Sequence, residues 1–340
     1  LWDHGGGYNG VNSASALENP TPLTNLVQCL SLLLIPVACV FSFGRFVMDR
    51  RQGRAVFAAM FILLVGALVA IAVFKQMGTP QLAADGQVYM GASGQSGGNM
   101  EGKETRFGVT DSSLWAAFTT AASNGSVNAM HDSFTPIGGM VPIVLMALGE
   151  VVFGGVGCGL YGMLGFVILT VFIAGLMVGR TPEYLGKKIG PKEMRMAVIL
   201  CITTPLLILV GAGIMSLDPA TANSLNNPGV HGFSEVLYAA TSAGGNNGSA
   251  FAGFNGNTPL INLVLGFEML ANRFIPSAAV CVLAGSLAVR PKVATSAGTL
   301  STSNALFVFL LVLMVLLIGA LTMFPALALG PVAEQLMMVL

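Results

Sequence analysis

Residues 241–253 read Thr-Ser-Ala-Gly-Gly-Asn-Asn-Gly-Ser-Ala-Phe-Ala-Gly and lie between apolar runs long enough to cross a membrane. Gly costs about 0.8–1.0 kcal/mol per residue relative to Ala inside a helix. Four glycines here, Gly244, Gly245, Gly248 and Gly253, therefore predict a helix break. What Gly offers is positive φ, which lets consecutive carbonyls turn toward one side of a loop. Irregular backbone at membrane depth survives only where protein buries it or where it lines a wet cavity. A carbonyl-lined loop in such a cavity has the chemistry of a cation filter.

The loop has copies. Sliding the chain by 123 residues lays Leu114-Trp115-Ala116-Ala117 over Leu237-Tyr238-Ala239-Ala240, and Ser123-Asn124-Gly125-Ser126 over Asn246-Asn247-Gly248-Ser249. Ten residues past each glycine stands the same exit, Thr135-Pro136-Ile137 and Thr258-Pro259-Leu260. A third exit, Thr21-Pro22-Leu23, follows the triplet Gly5-Gly6-Gly7, and Thr258–Val264 matches Thr21–Val27 in six of seven places. The matches include Asn, Gly and Pro, which hydrophobicity alone does not supply. One structural unit is used three times.

Composition sets the class. Of 340 residues 54% are hydrophobic and 9% charged, with mean hydropathy +0.78, whereas soluble domains carry about 25% charged residues. The reading is an all-α polytopic membrane protein built from repeated helix–re-entrant loop–helix units around one ion filter. Net charge is zero and no basic cluster carries interleaved aromatics, which excludes a nucleic-acid role. The five cysteines sit in apolar runs without a CxxC pair, so they read as buried free thiols. With no initiator Met or signal peptide at Leu1, the chain reads as a fragment lacking its upstream part.

A membrane helix needs about 20 apolar residues. The candidates are 26–47, 55–74, 138–179, 194–217, 260–289 and 305–325. The third is too long for one straight crossing, and Gly154-Gly155-Val156-Gly157-Cys158-Gly159 divides it into two half-helices. That break, through Gly155 and Gly157, is expected to form a constriction that gates the pore. Runs 110–122 and 233–244 are too short to span and end at glycine loops, so they read as re-entrant pore helices. Eleven of the fifteen Lys and Arg fall in the loops around 45–54, 180–195 and 290–292. The positive-inside rule makes those loops cytoplasmic and the glycine loops extracytoplasmic. The expected division is 1–54 (filter loop and second helix of unit 2), 55–192 (unit 3) and 193–292 (unit 4). A C-terminal transmembrane helix occupies 293–340, and 76–106 is an external loop of low information.

Glu150, Glu268 and Arg273 fall inside predicted spans, where each costs about 2.5–3.5 kcal/mol at the helix centre. Each must face protein or water. Glu268 and Arg273 could neutralise one another, although helical neighbours stand three or four apart, not five. Arg273 is expected to enter the vestibule beneath the filter. Several motifs are set aside. Gly157–Gly162 fits GxGxxG, but no strand precedes it. Asn124-Gly125-Ser126 and Asn247-Gly248-Ser249 fit the glycosylation acceptor but lie deep in the loops. His131-Asp132-Ser133 reads as a cap for the helix after Pro136, since adjacent residues do not converge as a triad does. His4 and His231 show no ligand spacing and read as incidental. Without a Walker motif, phosphorylatable aspartate loop, HExxH or GxSxG, the chain is not itself a hydrolase.

Several longer runs resemble one family. They are Glu18-Asn19-Pro20-Thr21, Asp49–Arg54, Asn99–Glu104, Met130–Phe134, Gly149–Gly157, Gly179–Lys188 and Ala326–Glu334. Together with the glycine triplet they resemble the KdpA family, the potassium-binding component of the Kdp potassium-transporting ATPase, over the whole chain. The resemblance implies four pseudo-symmetric pore units related to potassium channels and Trk-type transporters, with the first unit absent here. It implies K⁺ as the transported ion, held at Gly5, Ser123, Asn124, Gly125, Asn246, Asn247 and Gly248, with Arg273 below the filter. It also implies a KdpB-like P-type ATPase partner that hydrolyses ATP, KdpC-like and KdpF-like accessory subunits, and a bacterial or archaeal plasma membrane. The alternative is a stand-alone Trk/Ktr-type channel or symporter. Asp3-His4, Tyr8-Asn9 and Glu268 depart from the family pattern.

Overall fold

The computed structural model describes residues 8–79, 98–155, 158–179, 181–293 and 300–339. The expected filter residue Gly5 and gate residue Gly157 lie outside these residues, as does His4. Among the described residues six helices are long and apolar enough to cross a membrane. In chain order the helices are α1 (Pro22–Phe46), α2 (Arg50–Gln76), α3 (Gly108–Ala121), α4 (Pro136–Ala147) and α5 (Cys158–Met177). A two-residue-a-side hairpin, β1 (Glu183–Tyr184) with β2 (Lys187–Lys188), precedes α6 (Pro191–Ser216) and the short α7 (Pro219–Ser224). Then come α8 (Val230–Gly244), α9 (Pro259–Val289) and α10 (Ala305–Leu327). A kinked π-turn at Ala328–Val332 leads into α11 (Ala333–Val339).

The repeated Thr-Pro exit is a helix start. Pro22, Pro136 and Pro259 open α1, α4 and α9, where the missing N–H costs nothing and φ is preset. Thr21 and Thr258 cap their helices by accepting from the Thr24 and Ile261 N–H groups. Thr135 does not cap; its hydroxyl donates to the Phe74 carbonyl at 3.1 Å. The short helices α3 and α8 both end at glycine loops and bury most of their side chains. They are the expected re-entrant helices.

The long spans pack around these pore helices. One core joins α2, α5, α6, α9 and α10 through residues such as Met60, Met163, Val167, Ala197, Leu283 and Leu311. A second wraps α8 with Ile143, Met146, Ile208, Tyr238 and Met323. At the hairpin between α1 and α2, Gly44 and Gly53 meet backbone to backbone. A Cβ on either would come within 3.0–3.2 Å of the other helix. The three basic loops share one end of the molecule, where Met48, Lys187 and Lys292 line a common groove and Lys187 Nζ donates to the Leu287 carbonyl at 2.6 Å.

Residues 98–106, the described end of the expected external loop, are tied to the helices: Asn99 N–H bonds the Lys75 carbonyl at 2.7 Å and Arg106 donates to the Asn19 carbonyl. Lys103 donates to the Ser133 carbonyl at 3.2 Å. Burial draws Lys103 down to about 7, against the opposing pull of Glu101. One expectation is corrected: His131-Asp132-Ser133 does not cap α4, because Asp132 turns away to His231 and to the Gly253 N–H.

Equal sequence does not mean equal burial. Asn25 is 1% exposed, and its Oδ1 accepts from Asn19 Nδ2 and Asn128 Nδ2, each at 3.0 Å. Its repeat mate Asn262 is exposed, and its Nδ2 donates to Asn257 Oδ1 at 3.4 Å. Removing an acceptor that leaves buried donors unpaired costs about 1–3 kcal/mol for each. Asn25→Ala is therefore expected to lower the thermal unfolding midpoint clearly, whereas Asn262→Ala leaves it nearly unchanged.

Candidate functional site

The two complete glycine loops have the same backbone. Ser123 (φ 53) and its mate Asn246 (φ 50) are both left-handed, as are Gly125 (φ 81) and Gly248 (φ 101). The pore helices end alike, with Ala122 N–H on the Phe118 carbonyl and Gly245 N–H on the Thr241 carbonyl, both 2.8 Å. One residue after each left-handed turn, Asn124 N–H bonds the Thr119 carbonyl at 3.0 Å and Asn247 N–H bonds the Ser242 carbonyl at 2.8 Å. Each asparagine then folds its Oδ1 onto the serine two residues on, Ser126 N–H at 3.2 Å and Ser249 N–H at 3.0 Å. Left-handed φ is mildly unfavourable for Ser and Asn and free for Gly. The asparagine turns offset that cost locally.

The loops also hold one another. Asn247, fully buried, donates from Nδ2 to the Thr119 carbonyl at 2.9 Å. The Ser123 hydroxyl lies 2.5 Å from the Gly245 carbonyl. The first loop joins through Val127 N–H on the Asn12 carbonyl at 2.8 Å; Asn12 (φ 54) and Ser13 (φ 68) are left-handed there too. Behind the last loop, Ser249 Oγ meets the Tyr238 hydroxyl at 2.7 Å, and that hydroxyl meets His131 Nδ1 at 2.7 Å. Burial, reinforced by Lys75 and Lys103, lowers His131 to about 3. The ring is neutral and serves as a hydrogen-bond partner.

Beneath the loops the long apolar segment is broken, as expected, but the break is wider and starts earlier. Helix α4 stops at Ala147 and α5 resumes at Cys158. Gly149 (φ 77), Glu150 (φ 63), Phe153 (φ 56) and Gly155 (φ 35) are left-handed in between. The break is tied to the loop above it: Gly155 N–H bonds the Ala122 carbonyl at 2.8 Å and the Ser123 hydroxyl reaches Glu150 Oε1 at 2.7 Å. Cys158 Sγ donates to Glu150 Oε2 at 2.8 Å. A small cavity there is lined by Glu150, Tyr161, Asn246, Asn272 and Arg273.

A match over residues 1–336 to the family model described as KdpA, potassium-transporting ATPase A subunit, covers nearly all of this architecture. The chain belongs to that family. A potassium-transporting ATPase potassium-binding subunit of Clostridium botulinum is 66% identical over 98% of this chain and 58% of the relative. Its counterpart in Clostridium perfringens is 65% identical over 100% and 59%, and that of Desulfovibrio desulfuricans 64% over 99% and 59%. The chain thus spans rather more than half the length of the curated relatives it matches.

Of the expected site residues of this KdpA-family chain, Ser123, Asn124, Gly125, Asn246, Asn247 and Gly248 come together in the loops. Glu150, Gly155 and Arg273 gather just beneath them. Glu268 does not pair with Arg273. It is 2% exposed, both carboxyl oxygens lack a hydrogen-bond partner among the described residues, and it lies against Gly211 of α6, where a Cβ would sit 1.8 Å from Oε1. Sequence reasoning missed Asn272, which donates to the Gly244 carbonyl and accepts from Thr204 Oγ1 at 2.9 Å. The available signal was a polar amide one residue before Arg273 in an apolar run.

The break has no room for side chains at its tightest point. A Cβ on Gly154 would lie 2.1 Å from the Glu150 carbonyl oxygen. Overpacking of this kind costs about 1–3 kcal/mol or more. Gly154→Ala is expected to lower the unfolding midpoint and to displace Glu150 from Ser123, read out as faster amide exchange at Gly155 and Asn124.

Proposed function

We propose that this chain is the core of the potassium-binding and translocating subunit of an ATP-driven, high-affinity potassium uptake pump. The observation that carries the reading is the shared backbone of the two loops at Ser123-Asn124-Gly125 and Asn246-Asn247-Gly248. The side chains at the first position differ while φ is the same, as suits binding by carbonyls. A potassium ion that sheds its hydration shell needs carbonyl oxygens in its place. Residues Ser123, Asn124, Gly125, Asn246, Asn247 and Gly248 supply that backbone in our reading, with Gly5 from the first loop. The names of the relatives favour a component of an ATPase over a stand-alone channel or symporter.

In this reading the chain does not hydrolyse ATP. A KdpB-like P-type ATPase subunit does so, joined by KdpC-like and KdpF-like accessory subunits in a bacterial or archaeal plasma membrane. The clustering of the basic loops at one end supports a cytoplasmic placement for that end, with the filter loops opening outside. The gate is the broken segment through Gly155 and Gly157, and Arg273 sets a fixed positive charge beneath the filter that hinders free run-through of K⁺.

Gly248 has φ 101, a conformation strained for any other residue. Gly248→Ser in the full-length subunit, assembled with its ATPase, is expected to weaken K⁺ stimulation of ATP hydrolysis at least about tenfold (about 1.4 kcal/mol) or to admit Rb⁺ and NH₄⁺. Unchanged ion-dependence curves on intact complex would remove the filter assignment.

Arg273→Ala is expected to raise passive K⁺ flux through the assembled complex in vesicles, while the K⁺ concentration for half-maximal ATPase stimulation stays near its original value. Unaltered leak together with unaltered coupling would exclude the proposed charge barrier.

A further inference from the structure

The histidine that the sequence left without a role sits in a cluster of acids. His231 and Glu235 stand one turn apart at the start of α8 and project to the same side, with Nε2 and Oε1 3.9 Å apart. Asp132, from the segment after the Ser123–Ser126 loop, brings Oδ1 to 3.0 Å from the same Nε2. One donor atom from each of these three residues lies within 4.8 Å of the other two. On the far side of the ring, Glu334 of α11 meets Nδ1 at 2.7 Å. The kink at Gly330, where a Cβ would come within 3.0 Å of Ser234 Oγ, carries α11 across α8.

We infer that Asp132, His231 and Glu235 form a binding site for a divalent transition-metal cation of the zinc class. Zinc bonds of about 2.0–2.2 Å in tetrahedral geometry separate neighbouring ligand atoms by about 3.4 Å. The two distances from Nε2, 3.0 and 3.9 Å, bracket that value, and the third pair lies within 4.8 Å. The carboxyl of Glu235 is 0% exposed, and its Oε2 has no hydrogen-bond partner among the described residues. A buried oxygen of that kind is costly unless something answers its charge.

The surroundings are those of a supported ligand set. A metal-bound imidazole commonly gives its other N–H to a carboxylate, which fixes the ring and raises its basicity. Glu334 is in that place. Asn227 Nδ2 donates to Glu235 Oε1 at 2.6 Å, and Gly253 N–H donates to Asp132 Oδ2 at 3.0 Å, so both carboxylates are oriented. Gly253 is itself needed, since a Cβ there would lie 1.8 Å from Glu235 Oε1. Phe251 stacks on the ring at 10° between planes. The side chains of His231 and Asp132 are 24% and 11% exposed, which leaves an approach for the ion and a place for water as fourth ligand. The cation replaces the proton on Nε2 with twice its charge among three carboxylates. It would tie the segment behind one filter loop to the pore helix of the next.

The test uses the full-length protein, stripped with chelator and titrated with ZnCl₂ by calorimetry and with CoCl₂ by absorption. The expected result is one ion per chain, visible ligand-field bands of tetrahedral strength with Co²⁺, and a raised melting temperature with Zn²⁺. Glu235→Gln keeps an acceptor for Asn227 and is expected to fold. It should bind Zn²⁺ at least about tenfold more weakly, and His231→Gln should lose the Co²⁺ bands. Absence of stoichiometric binding overturns the inference. So does binding that Glu235→Gln and His231→Gln leave unchanged, because the ion would then sit elsewhere.

Discussion

A peptide group at membrane depth has no water to bond with, so every N–H and C=O must find a partner inside the protein. The rest of this structure depends on how the filter loops meet that demand. Both complete loops use the same device: a left-handed residue ends the pore helix, an asparagine N–H returns to a carbonyl five residues back, and the asparagine side chain caps the serine N–H two residues on. The N–H groups are spent inward. In the proposed function the carbonyls that follow are the groups offered to the ion.

Once the loops are irregular, they must be held from outside. Buried amides do much of this, because Asn and Gln carry both donors and acceptors without a charge to desolvate. Asn247 clamps the end of the neighbouring pore helix, Asn25 of α1 joins the segment after the Ser123–Ser126 loop through Asn128, and Asn272 holds the end of the last pore helix from the middle of a span. The broken segment between α4 and α5 belongs to the same scheme. It brings Gly155 N–H and Glu150 under Ala122 and Ser123, contacts that a continuous helix could not make. The break and the filter are one structure.

Two acids show the other outcome. Glu268 is buried beside Gly211 with no partner for its carboxyl oxygens among the described residues. Glu235, also buried, sits with His231, Asp132 and Glu334. The first is an isolated oddity in a helix contact; the second is surrounded by groups that orient it.

The sequence by itself determined the membrane class, the six spans, the two short pore helices and the repeat. Each rests on local properties: run length, glycine content and the Thr-Pro start recur along the chain and need no neighbour to be read. It also located the loop residues, because Asn-Gly-Ser recurs at a fixed distance. It could not tell Asn25 from Asn262, which match in their seven-residue frames yet are respectively buried and exposed. It left open whether Glu268 and Arg273, five residues apart, neutralise one another, whereas helix rotation sends one toward α6 and the other to the cavity under the filter. It passed over His231, whose partners Asp132 and Glu334 are about a hundred residues away on either side. Pairings of that kind are set by which helix faces meet, and only the packed tertiary structure decides them, since a side chain's charge and hydrogen-bonding capacity say what it needs but not what will stand opposite it.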